Sequence, residues 1–335
     1  MEKLTVPRTM TVWRQHSYGS ADVLAAESVA VPRPAEGEVL VRVDAVSLNA
    51  ADVHLLRGTP PLLRLFFGIR RPRVPGRGMD VAGTVVALGP GVAGLTIGDR
   101  VVGAGSETLA DFAVVRADRL SPVPEAVDAV TAATLPIAGN TAVTALDACR
   151  VGAGDRVLVV GAGGGVGTFA VQLAAARGAE VWATAGARAD ELLHRLGAHR
   201  ALDYRTTDLA SLPPASFDAI IDIAGEPPLR VLRDLLRTDG RRRTGVVALV
   251  GGGGENLLGP IPRMLGALFV RARIRPITAV TRTAVTEGLL ELAASGSLTP
   301  HVERTWPLAE AREALAWVEA GHTVGKVVVV RGSDL

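Results

Sequence analysis

Residues Val157–Ala174, VLVVGAGGGVGTFAVQLA, set an aliphatic run before a knot of glycines and a helix-like pattern after it. Strand, glycine turn and helix together suit a pyrophosphate. Glycines let the backbone come close, and free N–H groups and the helix dipole face the phosphates. Read against Gly-x-Gly-x-x-Gly, the turn is Ala162-x-Gly164-x-x-Gly167, with alanine in the first place. Gly163, Gly164, Gly165 and Val166 are the candidates for contact with a dinucleotide. The other reading is a tight turn with close helix–strand packing and no ligand. A second requirement falls about twenty residues on, at the end of the next strand, where NAD needs an acid for its ribose hydroxyls. That strand ends in Thr184-Ala185-Gly186, without an acid, and Arg188 lies just beyond. The missing carboxylate removes repulsion from a 2′-phosphate and an arginine can pair with it, which favours NADP(H). A plain exposed loop charge is the alternative for Arg188.

The elements that must position this turn alternate. Strands are predicted at Val157–Val160, Glu180–Thr184, Arg200–Asp203, Phe217–Ile223 and Val246–Val250. Helices are predicted over Val166–Arg177, Ala189–Leu196 and Pro228–Arg237. This βαβα order predicts an α/β fold with a parallel, doubly wound sheet, Ile274–Val280 being its last strand. The first third reads differently. Glu38–Asn49 alternates apolar and polar residues like a half-buried strand, and Asp80–Val92 runs into a Gly-Pro-Gly turn. Short strands with Gly/Pro punctuation predict a barrel-like β domain. From about Pro124 the pattern turns helical, and the C-terminus reads strand, helix, strand. That ending either closes the parallel sheet or returns to the β domain.

With 335 residues, 48% apolar and 21% charged, the chain can build the core of one large or two ordinary domains. Met1–Met10 carries no apolar signal stretch, and the best membrane candidate, Leu257–Val270, is broken by Pro260, Pro262 and Arg263. The single cysteine, Cys149, can make neither an internal disulfide nor a structural zinc site and reads as an inert core thiol, so a cytoplasmic protein is expected. Net charge is only +2, and the dense basic run Arg241-Arg242-Arg243 reads as a solvated turn rather than a nucleic-acid site.

Several longer motifs now stand in order: PAEGEVLVRVDAVSLNAADVHLLRG, PGRGMDVAGTVVALGPGVAGLTIGDRVVG, ATLPIAGNTAVTAL, the glycine turn, LGAHRALDY and GKVVVV. Together they resemble the zinc-free, quinone-oxidoreductase-like branch of the medium-chain dehydrogenase/reductase superfamily, over nearly the whole chain. The resemblance implies a GroES-like β-barrel domain (residues 1–124), a Rossmann cofactor domain (125–298) and a C-terminal return to the GroES-like domain (299–335). It also implies a cofactor in the cleft between the two domains. Zinc-dependent relatives ligate a catalytic zinc through Cys, a Gly-His-Glu stretch and a later Cys. Here Asn49 and Met79-Asp80 occupy the first two places, so no metal is expected. A tyrosine that many relatives carry beside the substrate is replaced by Ala50-Ala51-Asp52-Val53.

The candidate catalytic residues are Asn49, Asp52 and His54. Asn49 either faces the nicotinamide or a substrate carbonyl, or forms a turn. His54 either donates a proton through water or is structural. Cofactor candidates beyond the glycine turn are Thr141 at a helix start, Thr184, Arg188, Tyr204 at a strand end, Ala224, Val250, Gly251, Gly252 and Lys326. The Tyr204 and Lys326 assignments rest on the resemblance. Caps, anchors, loops and surface charge are the bland alternatives. The function implied is NADPH-dependent hydride transfer to a quinone or an α,β-unsaturated carbonyl. A dedicated biosynthetic reductase and a repurposed NADPH-binding protein without turnover are the alternatives. A small-molecule substrate, neither nucleic acid nor membrane, and a homodimer through the edge strand Ile274–Val280 complete the expectations.

Overall fold

The computed structural model describes residues 6–239, 242–251, 263, 266–267, 270, 272–278 and 280–332. In chain order the strands are β1 (Thr9–Arg14), β2 (Ala25–Ala30), β3 (Glu38–Leu48), β4 (Asp80–Leu88), β5 (Arg100–Ala104), β6 (Phe112–Arg116) and β7 (Leu120–Pro122). They continue with β8 (Arg156–Val160), β9 (Glu180–Ala185), β10 (Arg200–Asp203), β11 (Ala219–Asp222), β12 (Thr238–Asp239) and β13 (Arg242–Arg243). Last come β14 (Val246–Leu249), β15 (Arg273–Pro276), β16 (Val302–Pro307) and β17 (Lys326–Val330). The helices are α1 (Ala50–Arg57), α2 (Arg64–Phe67), α3 (Ala129–Ala133), α4 (Asn140–Cys149), α5 (Gly165–Ala176), α6 (Asp190–Arg195), α7 (Leu229–Leu235), α8 (Thr283–Ala294) and α9 (Ala311–Glu319).

By contacts the chain forms two compact units. Met1–Thr59, Leu63–Ile137 and Thr281–Leu335 make the first, and Pro60–Leu62 with Ala138–Val280 the second. These boundaries differ from the expected 124/125 and 298/299 because α3 packs on β3 and β4, and α8 packs on β7.

In the first unit β3 is the spine. It pairs antiparallel with β4, β6 and β17, and β16 runs parallel to β17. Val39, Val41 and Val43 point into one core with Leu56, Val81 and Leu315. Leu40, on the opposite face, is also buried, against Met10, Val12 and Phe112. The strand expected to be half-buried is covered on both faces here, since the β1–β2 ribbon contributes Met10 and Val12 to its second side. The C-terminal alternatives resolve on β17, which pairs with β3 and is buried along its whole length. A continuous Val327–Val330 run suits a strand covered on both faces.

The second unit holds a six-stranded sheet in the order β10-β9-β8-β11-β14-β15, parallel throughout. The first strand, β8, sits in the middle, with successive strands laid outward on either side of it. The order reverses between β8 and β11, and ligands of doubly wound sheets bind beyond the carboxyl ends at such a switch point. The edge strand is shorter than the expected Ile274–Val280. Pro276 lies at its end opposite Leu249, and the N–H of Ile277 bonds the Leu249 carbonyl at 2.8 Å. Alternate residues of a parallel strand donate to the same neighbour, so Pro276 stands where an N–H would face away from β14 and it costs that ladder no bond. Arg241, Gly252 and Ala279 lie outside the described residues, as does most of Leu257–Val270.

Candidate functional site

At the carboxyl end of β8 the chain turns through Gly161 at φ +82°, a left-handed conformation that glycine adopts without strain. The N–H groups of Gly161 and Ala162 bond the Thr184 carbonyl at 3.1 and 2.8 Å, which ties the turn to the end of β9. Gly167 lets α5 press on the turn, since a Cβ there would lie 2.4 Å from the Gly161 oxygen. Gly164 differs. A Cβ on it would meet only the Gly161 oxygen, at 3.8 Å. Gly164 is also the N-cap of α5 and has no side chain to bond the N–H groups of the first turn. Those donors have no partner within their own helix either. Gly163, Gly165 and Val166 are partly accessible around them. An open space over uncapped N–H groups at the positive end of a twelve-residue helix fits a pyrophosphate.

Next to this turn, β9 delivers Thr184, Ala185 and Gly186. Thr184 is buried, and its hydroxyl lies 3.4 Å from the Gly161 N–H, so it braces the turn from beneath. Tyr204 lies beside Gly186: a Cβ on Gly186 would come within 3.6 Å of the Tyr204 ring. The Tyr204 N–H bonds the Ala185 carbonyl and its ring is half exposed. Arg188 is exposed in the short helical turn that follows β9. On the other side of β8, Ala224 sits against Gly161, where a Cβ would be 3.0 Å from the Ala224 nitrogen. Thr141 lies in the first turn of α4 and is buried.

Val250 and Gly251 need a correction. Their N–H groups bond the Asp222 carbonyl at 2.8 and 3.3 Å, so they lock the end of β14 to β11 rather than reach toward a ligand. The approach is so close that a Cβ on Gly251 would lie 1.8 Å from the Ile223 oxygen. Sequence reasoning missed Asp222 itself. Its carboxylate, buried at the end of β11, accepts the Gly225 N–H at 2.9 Å and Arg263 at 2.5 Å. Burial pushes its pKa up and the Arg263 guanidinium opposes that. The one signal was an acid ending an otherwise apolar strand, AIID.

In the first unit the structure brings together Asn49, Asp52 and Lys326. Lys326 is buried at the start of β17 and donates to the Leu48 carbonyl at 2.9 Å and to Asn49 Oδ1 at 2.6 Å. Asn49 Nδ2 in turn donates to Asp80 Oδ2 at 2.8 Å and to the Ser47 carbonyl at 3.2 Å. Asp80 Oδ1 accepts the Ile137 N–H. Asp52 Oδ2 accepts the Asn49 N–H at 2.9 Å, as the second half of a capping box at the start of α1. Asn49 thus engages Lys326 and Asp80 through its side chain, and Asp52 caps α1. Both ends of the Asn49 amide are bonded inside the unit, and all three side chains are shut away from solvent. Burial pushes Asp52 up to about 6 and Asp80 up to about 7, with Lys326 opposing both, while burial lowers Lys326. His54 is half-buried on α1, and burial lowers its pKa. The partner that sequence reasoning lacked, Asp80, stands 246 positions from Lys326, and no local pattern connects them.

The alcohol dehydrogenase GroES-like domain model matches residues 35–125, and a model described as zinc-binding dehydrogenase matches 196–329. The chain is 32% identical to the chloroplast envelope quinone oxidoreductase homolog of Arabidopsis thaliana, over 96% of its own length and 98% of that protein. It belongs to the medium-chain dehydrogenase/reductase family, in its quinone-oxidoreductase-like branch. It is 31% identical to the NADPH-dependent alkenal/one oxidoreductase of Arabidopsis thaliana, over 97% of this chain and 80% of that one. The Escherichia coli quinone oxidoreductase solved with NADPH superposes with a TM-score of 0.82 at 26% identity, over 96% of this chain and 99% of that one. The chain is thus an oxidoreductase of an NAD(P)H-dependent family. Although the second matching model names zinc, Asn49 and Asp80 bond each other here. Among the described residues no three His, Cys, Asp or Glu side chains cluster as metal ligands.

Proposed function

We propose that this oxidoreductase takes NADPH and reduces quinones or carbonyl-conjugated double bonds without a metal. The observation that carries the cofactor choice is the exit of β9. Thr184–Ala187 holds no carboxylate, Arg188 is exposed just beyond, and Tyr204 borders Gly186. A guanidinium there pairs with a 2′-phosphate, and no acid repels it. Bound at the turn, the nicotinamide cofactor supplies the hydride. The chain's own residues hold and orient it: the first-turn N–H groups of α5 take the pyrophosphate, and Gly161 and Gly167 keep turn and helix in register. Asn49 bonds both Asp52 and Asp80 in a buried cluster, and the proton is taken from solvent, which a quinone acceptor tolerates. The similarity to quinone and alkenal/one oxidoreductases supports both acceptor classes.

NADPH oxidation followed against a panel of quinones, enals and enones tests this reading. Turnover on at least one class, with NADPH binding at least tenfold tighter than NADH, is expected. Tight NADPH binding without oxidation by any acceptor favours a repurposed binding protein instead. The pairing is proposed as a homodimer through β15, whose outer edge has no strand partner among the described residues. A two-fold copy would cover that edge. Light scattering coupled to gel filtration is expected to give the mass of two chains, and Ile277→Asp to give one.

A further inference from the structure

From Val53 to Met79 the chain carries no aspartate or glutamate but six arginines: Arg57, Arg64, Arg70, Arg71, Arg73 and Arg77. A stretch of charge +6 in a chain of net charge +2 is a strong local asymmetry. The same stretch exposes Leu65, Phe66, Phe67, Ile69 and Val74, with Phe66 at 69% and Ile69 at 66%. Single exposed apolar residues are ordinary, but five within ten positions are not.

The loop is held out rather than left to collapse. The Arg73 N–H bonds the Phe67 carbonyl at 2.7 Å and closes residues 67–73 on themselves. The turn inside it needs Gly68, at φ +120°, where a Cβ would lie 2.1 Å from the Arg71 oxygen. Tyr18 Oη donates to the Gly68 carbonyl at 2.6 Å, and Arg64 lies over the Tyr18 ring while bonding the Gly58 carbonyl. Arg70, Arg71 and Arg73 are exposed and make no ion pair with any described residue.

We propose that the loop Arg64–Val74 docks the protein on an anionic lipid surface. Aromatic and aliphatic side chains beside unpaired arginines suit the headgroup boundary: the apolar tips enter the acyl region while the guanidinium groups meet lipid phosphates. Among the described residues no helix is long and apolar enough to cross a membrane, so the contact is one of lying on it. Charge selects this occupant. A second copy would bring the same arginines against each other, whereas anionic lipid complements them. The inference needs no turnover and stands apart from the functional reading.

Co-sedimentation of the full chain with vesicles of phosphatidylcholine alone, and of phosphatidylcholine with phosphatidylglycerol, tests it. Sedimentation with the anionic vesicles only, reduced by salt, is expected. Arg70→Gln with Arg71→Gln should lower the partition about 25-fold, at roughly fivefold per arginine. Phe66→Ser with Phe67→Ser should release the protein even at low salt. Both variants alter exposed side chains, so circular dichroism and NADPH affinity should match the parent. No sedimentation, equal sedimentation with neutral vesicles, or unchanged partition in both variants overturns the proposal. So does a fall from dimer to monomer mass in Phe66→Ser/Phe67→Ser, which would make the loop a self-contact.

Discussion

In the first unit Lys326, Asn49, Asp80 and Asp52 hold one another behind a sheet, whereas at α5 in the second unit no side chain caps the first-turn N–H groups. The first set looks functional in sequence: an amide after a strand, an acid three residues on, a lysine before the last strand. Each of these side chains bonds a neighbour inside the fold, while Asp52 Oδ1 is buried without a hydrogen-bond partner. The second set shows only glycines and one valine, yet it leaves donors open beside empty space. Chemistry-bearing side chains that satisfy each other do structural work. Backbone donors left open over accessible space are available to a ligand.

The contrast would break first at Lys326. Lys326→Met should destabilise the fold by about 3–5 kcal/mol, because it leaves buried Asn49 and Asp80 groups short of their partner. Urea unfolding measures that, and NADPH affinity of the folded fraction should stay at the parent value. Intact stability with weakened NADPH would instead return Lys326 to the cofactor site.

Asp52 gives the contrast a pH signature. Burial pushes its folded pKa to about 6, against 3.8 for a free side chain. Between about pH 4 and about pH 6 the folded state holds the proton that the unfolded state releases, so stability falls as pH rises. The fall due to Asp52 is on the order of 3 kcal/mol. Asp80, pushed to about 7, adds a fall of the same sign. Asp52→Asn keeps an acceptor for the Asn49 N–H and should flatten its share. Melting temperatures of parent and variant across that window would check this, and superposable profiles would reject it.

At the exit of β9, Arg188→Ala should weaken NADPH by about 1.5–3 kcal/mol, roughly ten- to hundredfold, and leave NADH unchanged. Titration of both cofactors decides it, and equal losses would assign Arg188 no role in reading the phosphate. The smallest and sharpest change is Gly164→Ala. Its φ of −82° suits alanine and the new methyl meets little protein, so stability should stay within about 0.5 kcal/mol. NADPH should still weaken about tenfold, because the methyl enters the space assigned to phosphate. Gly167→Ala serves as the opposite control. Its methyl would strike Gly161 and Ala162 and should cost about 1–3 kcal/mol of stability.

Alternation, glycine punctuation and the apolar runs Val157–Val160 and Val327–Val330 were enough to predict two differently built regions and a parallel sheet. The reason is local. Periodicity sets which face is buried, and a strand–glycine–helix junction needs only its own residues to make an anion-binding turn. Three things were decided by tertiary structure alone. The C-terminal strand pairs with β3 rather than with the parallel sheet, a choice its continuous apolar run leaves open because such a run suits any strand covered on both faces. The unit boundaries moved because α3 and α8 found their packing partners on β3, β4 and β7. Asn49 found partners for its side-chain amide only because folding brought Asp80 and Lys326 to its two ends across 246 positions of chain. Residue type fixes what a side chain can bond, but whether a partner or solvent meets it depends on contacts between distant segments, which no local pattern encodes.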